Sequence, residues 1–255
     1  PDRLKQAICG QQAEPAVLKK GEQPWEYQRN GTAGSLLKIR GRYASSGAFP
    51  VPGENAPSVI ILRTTEGTGR PWSLKPQVLA KVMGDMGALE IINSGSCFEL
   101  PEATLDGIAA LVHNKNIQQL FFEAHWIYRH KLEEMRARMG VPIIFKIGVE
   151  TFDYDFRQRV LNKHADFREP GEVAEYFDSP CLMVGIQGQT KDMIRYDIDC
   201  LKRYFKLGTV NVYNNNTTPI RRDQALVDWF MDEYQWLMED PAVEVLYEIT
   251  DFGVG

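Results

Sequence analysis

Six short polar stretches, each directly after an apolar run, hold the side chains with chemistry to offer. They are 63–66, 93–97, 123–125, 148–151, 185–190 and 214–219, rich in Asn, Gln, Glu, Ser and Thr. Amides, carboxylates and hydroxyls in such numbers suit hydroxyl groups, amines and the edges of a heterocycle. No GxxxxGKS/T or GxGxxG loop occurs, so a nucleotide triphosphate is not the expected ligand. Glu123 and His125, with His130 nearby, could begin a metal site, but no third ligand follows at a suitable spacing. One buried carboxylate and two ordinary histidines is the favoured reading. Glu123, His125 and Glu150 could also serve as acid–base groups of a cofactor-independent barrel lyase or hydrolase. Cys97 sits in a polar loop, yet a small buried cysteine is usually inert packing.

These stretches need elements that bring them together. The apolar runs at 58–62, 88–92, 119–122, 142–147, 181–184 and 209–213 are continuous rather than alternating, the pattern of strands buried on both faces. Segments with helical spacing separate them, so they read as six β-then-α units of a parallel sheet. In two of those segments the pattern is explicit. Ile194, Ile198, Leu201 and Phe205 line one face after a cap at Thr190; Leu226, Val227, Phe230, Met231 and Tyr234 do so after a cap at Asp223. A last run at 243–247 is expected to cover or extend the sheet edge. Six sequential units imply a doubly wound sheet or a complete or partial barrel, and in either the ligand sits beyond the C-terminal ends of the strands. Residues 1–50, with helical pieces at 4–12 and 15–20 and a basic segment at 36–43, read as an N-terminal extension, and residues 51–255 as the α/β domain.

Composition narrows the function. The 255 residues include 34 acidic and 29 basic side chains without a dominant block of either, which argues against nucleic acid or an anionic membrane as partner. No apolar stretch approaches a membrane span, and the N-terminus lacks a secretory pattern, so a cytoplasmic protein acting on a small molecule is expected. The four cysteines are dispersed, with no CxxC pair, and reduced thiols are expected. The chain begins with Pro rather than Met, so the complete product is expected to be longer.

From about residue 57 to residue 219 the chain resembles the radical S-adenosylmethionine superfamily. Residues 146–153 with 159–164 resemble that family's fourth strand and the helix after it, which implies Glu150 at the cofactor ribose and Lys163 facing its carboxylate. The run 183–190 is similar to the family's fifth-strand turn, Gly-x-x-Gly-Glu/Gln-Thr, and implies that Gly185, Gln187, Gly188 and Gln189 line the adenine. Asn93, Ser94 and Gly95 stand where the family's second-strand turn holds the cofactor's amino group, and Glu123 joins these cofactor-facing positions. Residues 214–219 resemble the sixth-strand exit loop. In the C-terminal half (178–185, 209–211 and 250–253) the likeness narrows to the radical enzymes of queuine salvage, which cleave queuine to the aminomethyl deazaguanine base. Asn214, Asn216 and Asp251 are then candidates for reading the base.

The resemblance implies an α/β fold, a partial (β/α)6 TIM-type barrel of parallel strands, with S-adenosylmethionine and a 4Fe–4S cluster as cofactors. It further implies a lyase-type reaction on a small modified base and an electron-donor protein as partner. One departure stands out: the family's CxxxCxxC loop follows its first strand, and residues 61–71 contain no cysteine. Without three thiolates the cluster has no ligands. A cluster loop omitted from this chain is the expected explanation, and a cluster-free descendant that binds a base or nucleoside without turnover is the alternative.

Overall fold

The computed structural model describes residues 35–38, 58–62 and 87–247 apart from 94 and 217, and for 35–38, 58–62 and Asn93 the backbone alone. The helical pieces expected at 4–12 and 15–20, and the candidates Ser94 and Asp251, lie outside the described residues.

The described strands form one sheet in chain order: β1 (Ser35–Lys38), β2 (Ser58–Leu62), β3 (Ala88–Asn93), β4 (Gln119–Glu123), β5 (Ile143–Glu150), β6 (Ser179–Val184), β7 (Gly208–Val212) and β8 (Val243–Leu246). β1 pairs antiparallel with β2, and every later pairing is parallel. All six apolar runs are strands, and the run at 243–247 extends the sheet as its eighth.

Side chains alternate between two faces. Leu89, Ile91, Leu120, Phe122, Phe145, Ile147, Leu182, Val184, Val210 and Val212 point to the outer face, where the helices bury them in the main core. The inner face begins with an apolar plug of Ala88, Phe121 and Leu207, against which Ile144 and Ala242 pack. Above it the inner face turns polar, and one contact there reveals the curvature. Lys146 on β5 lies 2.7 Å from Glu90 on β3 and 3.7 Å from Glu244 on β8. Strands β5 and β8 are three neighbours apart, about 14 Å in a flat sheet. A lysine can touch both carboxylates only if the sheet curls, and it does so as a partial TIM-type barrel.

Helices α1 (Glu102–Asn114), α2 (Leu132–Met139), α3 (Pro170–Ala174), α4 (Lys191–Tyr204) and α5 (Gln224–Glu233) clothe the outside. α4 begins at Thr190, whose hydroxyl accepts from the Met193 amide at 3.2 Å, and α5 at Asp223, whose carboxylate accepts from the Leu226 amide at 3.0 Å. Both expected stripes face the sheet, with Ile194, Ile198, Leu201, Leu226, Val227 and Phe230 buried. The connection from β5 to β6 departs from the expected helix. It runs through one π turn (Phe156–Val160), an irregular stretch and the short α3. Arg157 explains the break, because its guanidinium takes carbonyls that a continuous helix would use for itself. No helix among the described residues is long and apolar enough to cross a membrane.

The Lys146 contact carries a stability prediction. Lys146→Met strands Glu90 without its cation in a buried setting and is expected to cost about 3–5 kcal/mol. Denaturant unfolding should show a lower midpoint at unchanged slope, and adding Glu90→Met should recover much of the loss.

Candidate functional site

Because β2 to β8 run parallel, the polar stretches that follow β3 to β7 emerge at one end of the half-barrel. Glu150 ends β5 with φ of 65°, a left-handed conformation that a side-chain-bearing residue adopts at a cost of about 1–3 kcal/mol. Val149 packs in the outer core, so Glu150 shares the inward face of Lys146 and Gly148, and the register with β6 shifts between Gly148 and Glu150. There its Oε1 accepts a hydrogen bond from Lys163 Nζ at 2.5 Å. Gly148 lies underneath, and a Cβ on it would fall 2.9 Å from Lys163 Nζ and 3.0 Å from Glu150 Oε1. Only glycine leaves room for that pair.

Lys163 reaches Glu150 because the chain around it is folded tightly. Asn162 and His164 both have positive φ, 52° and 55°. The fully buried Arg157 holds the turn, with Nη1 donating to Thr151 O at 2.9 Å, Nε to Ala165 O at 3.3 Å, and Nη2 to Phe167 O. Its guanidinium stacks 3.7 Å from the Phe167 ring centroid. On the far side, the buried Asp197 of α4 accepts from the Phe152 amide at 2.6 Å. Burial lifts the Asp197 carboxyl to about 7, against the hydrogen bonds that favour its charge.

The turn after β6 is a second fixed element. Gly185 and Gly188 adopt φ of 85° and 90°. The buried Gln189 side chain folds back over the turn, accepting from the Gly185 amide at 3.0 Å and donating to Met183 O at 3.0 Å. Gln189 therefore shapes this turn, while Gln187 and Gly188 are exposed. The Gln187 amide donates to Arg221 O at 2.8 Å and the Asp223 amide to Gly185 O at 2.8 Å, which pins the turn to the segment before α5.

The amides after β7 serve their own loop. Asn214 donates to Val212 O at 3.2 Å and Tyr247 O at 3.3 Å and accepts from Arg222 at 2.7 Å. Asn216 is exposed and accepts from the Thr218 amide and hydroxyl. Asn93 closes β3. Ser96, just beyond Gly95, accepts from the His125 amide at 3.4 Å and so ties the ends of β3 and β4 together. His125 itself points to Glu99, 3.5 Å away, and His130 lies edge-on against Tyr176, so neither joins Glu123. No group of three His, Cys, Asp or Glu suited to a metal occurs among the described residues.

Glu123 instead faces inward. Its outward neighbour Phe122 is in the helix-side core, and its register partner is Lys146. Burial raises its carboxyl to about 7, with Glu90 and Glu150 raising it further and Lys146 and Lys163 pulling it down. Sequence reasoning missed Glu90, Lys146, Glu244 and Arg157. The signal was present in the first two, as lone charges inside runs otherwise built for full burial.

No family model and no curated protein sequence matches the chain. A solved structure does: queuine lyase from Clostridium spiroforme bound to SAM and queuine is 39% identical, with a TM-score of 0.71. The alignment covers 83% of this chain and 100% of that one. The chain belongs to the queuine lyase family of radical S-adenosylmethionine proteins.

For a member of that superfamily the cysteines are anomalous. Cys97 follows β3, Cys181 lies within β6 and Cys200 within α4, and all three are buried. Burial pushes their thiols up to about 12, 12 and 11, the reverse of what a thiolate ligand requires. The fourth is Cys9, and residues 63–86 between β2 and β3 contain none. These residues do not fit a 4Fe–4S cluster, which needs thiolates clustered at one place.

A Cβ at Gly185 would lie 2.2 Å from Val227 Cγ2 at a positive φ, so Gly185→Ala is expected to destabilise by about 2–4 kcal/mol, with partial recovery in the Val227→Ala background, read by thermal unfolding. Asp197 binds its proton more tightly folded than unfolded, so its contribution is complete below the ordinary carboxylate range and disappears as pH rises through about 7. Asp197→Asn keeps an acceptor for Phe152 and removes the titration; melting curves should show wild type losing stability relative to this variant between about pH 5 and 8.

Proposed function

We propose that the open end of the half-barrel binds S-adenosylmethionine together with a queuine-type deazaguanine base, the ligand pair of queuine lyase. The observation that carries this reading is the alignment over the full length of a queuine lyase bound to both. The chain's own chemistry agrees. Glu150 offers a carboxylate to ribose hydroxyls, and Lys163 an ammonium to the amino-acid carboxylate, both above the clearance at Gly148. In the turn after β6, the exposed Gln187 and Gly188 offer backbone to an adenine edge. Asn93, Ser94 and Gly95 remain the candidates for the cofactor's amine, and Asp251 for the base.

The lyase reaction is proposed for this site together with a thiolate loop of the family type. For the chain as it stands, the cysteine-free segment 63–86 favours a second reading, a cluster-free protein that holds the base without turnover. Calorimetric titration with S-adenosylmethionine and with queuine, paired with anaerobic reconstitution, separates the two. Binding of both ligands with about four iron and four sulfide per chain supports the enzyme. Binding without iron, on a chain whose intact mass is 29.0 kDa, supports the cluster-free protein. Failure of both ligands to bind overturns the proposal.

A further inference from the structure

Among the described residues, the inner face of the half-barrel carries four carboxylates, Glu90, Glu123, Glu150 and Glu244, against two ammoniums, Lys146 and Lys163. Lys146 is held between Glu90 and Glu244, and Lys163 is held by Glu150. Glu123 is left with no hydrogen bond and no ion pair of its own among the described residues. A half-buried carboxylate in that position repels its neighbours unless a cation arrives.

A second, independent feature points the same way. On β7, Val210 and Val212 pack under the helices, so Thr209 and Asn211 face the interior. The Asn211 Oδ1 atom is fully buried and accepts no hydrogen bond among the described residues. On β6 the fully buried Ser179 hydroxyl, in register with Lys146, is likewise unpartnered. Buried acceptors without donors are rare in folded proteins and mark a missing N–H or O–H group. The interior therefore asks for a ligand that is both cationic and rich in N–H donors.

We propose that Glu123 is the counter-ion of an alkylammonium on the bound ligand and that Asn211 Oδ1 accepts a ring or exocyclic N–H from it, so that this pair selects an aminomethyl-bearing deazaguanine over a neutral one. The inference rests on the proposed function for the presence of such a base. Two ligands at this site carry an ammonium, the amino-acid end of the cofactor and the arm of the base. Glu123 pairs in register with Lys146, two residues and so about 7 Å deeper along β5 than Gly148, over which the Glu150–Lys163 pair sits. That depth assigns Glu123 to the base.

The geometry also sets a pH dependence. Among the described residues, the charged and titratable groups facing Glu123 are Glu90 on β3, Lys146 and Glu150 on β5, Cys181 on β6 and Lys163 beyond the π turn; Glu244 on β8 faces it through Lys146. His125 turns away to Glu99. With its carboxyl lifted to about 7 by burial, Glu123 is largely protonated at lower pH and must ionise to receive the cation.

The test is equilibrium binding to the full chain of three probes: 7-aminomethyl-7-deazaguanine, the neutral 7-cyano-7-deazaguanine, and S-adenosylmethionine. Wild type should prefer the amine at least about tenfold, the scale of one charge-assisted hydrogen bond. Glu123→Gln should abolish that preference and leave the cofactor's affinity unchanged, while Asn211→Leu should weaken both bases alike. In unmodified protein, the ratio of amine to nitrile affinity should rise about tenfold per pH unit below about 7 and level off above it. That arm needs no variant to fold. An unchanged preference in Glu123→Gln with a flat pH profile overturns the inference while the proposed function stands. Loss of cofactor affinity alone overturns the assignment to the base. Failure of wild type to bind either base overturns the proposed function and the inference with it.

Discussion

The Lys146 ammonium, caught between Glu90 and Glu244, is the contact on which the curved sheet depends. Burial by itself would strip the charge from this lysine, and the two flanking carboxylates outweigh that effect and hold it protonated. A buried ion pair is seldom retained for stability, since its desolvation offsets most of the attraction. Its value here is geometric. A cation that must touch β3 and β8 from β5 penalises a flat sheet and fixes the concavity within which everything above it is arranged.

From that level upward the half-barrel is layered: an apolar plug, then the charged triplet, then Glu123, then the Glu150–Lys163 pair at the mouth. Each layer limits the next. The plug packs beneath Lys146, the triplet already shares Lys146 between Glu90 and Glu244 so that it only partly offsets Glu123, and the end of β5 sets Glu150 across Gly148. Arg157 and Asp197 touch nothing in the mouth but hold the chain that delivers Lys163. Precision at the top is thus purchased by buried polar groups behind it.

Much of this was legible in the sequence, for physical reasons. Strands buried on both faces announce themselves as largely apolar runs, and all six did, even with Glu90 and Lys146 inside two of them. The caps at Thr190 and Asp223 were visible because a hydroxyl or carboxylate just before a helical stripe has one obvious partner. The glycine turn at 185–188 was visible because its positive φ values demand that residue. What escaped is equally instructive. The strand Ser35–Lys38 hides in a basic stretch, since two leucines carry too little pattern. The broken connection after β5 could not be read, because Arg157 overrides local helical spacing through contacts eight and ten residues away. By residue type the amides Gln189, Asn214 and Asn216 suit a ligand, and their side chains also hydrogen-bond the loops that carry them. An amide in a turn satisfies its own backbone as readily as a guest, and sequence does not separate the two uses.

Glu150 and Lys163 stand as surrogates for one another's guests. The carboxylate proposed to meet a diol and the ammonium proposed to meet an acid are joined to each other. A molecule bearing only one complementary group must break the pair and leave its other half stranded, whereas one bearing both exchanges a contact for two. On the proposed reading, the entrance would discriminate by bivalence, against simple ions and half-matched metabolites.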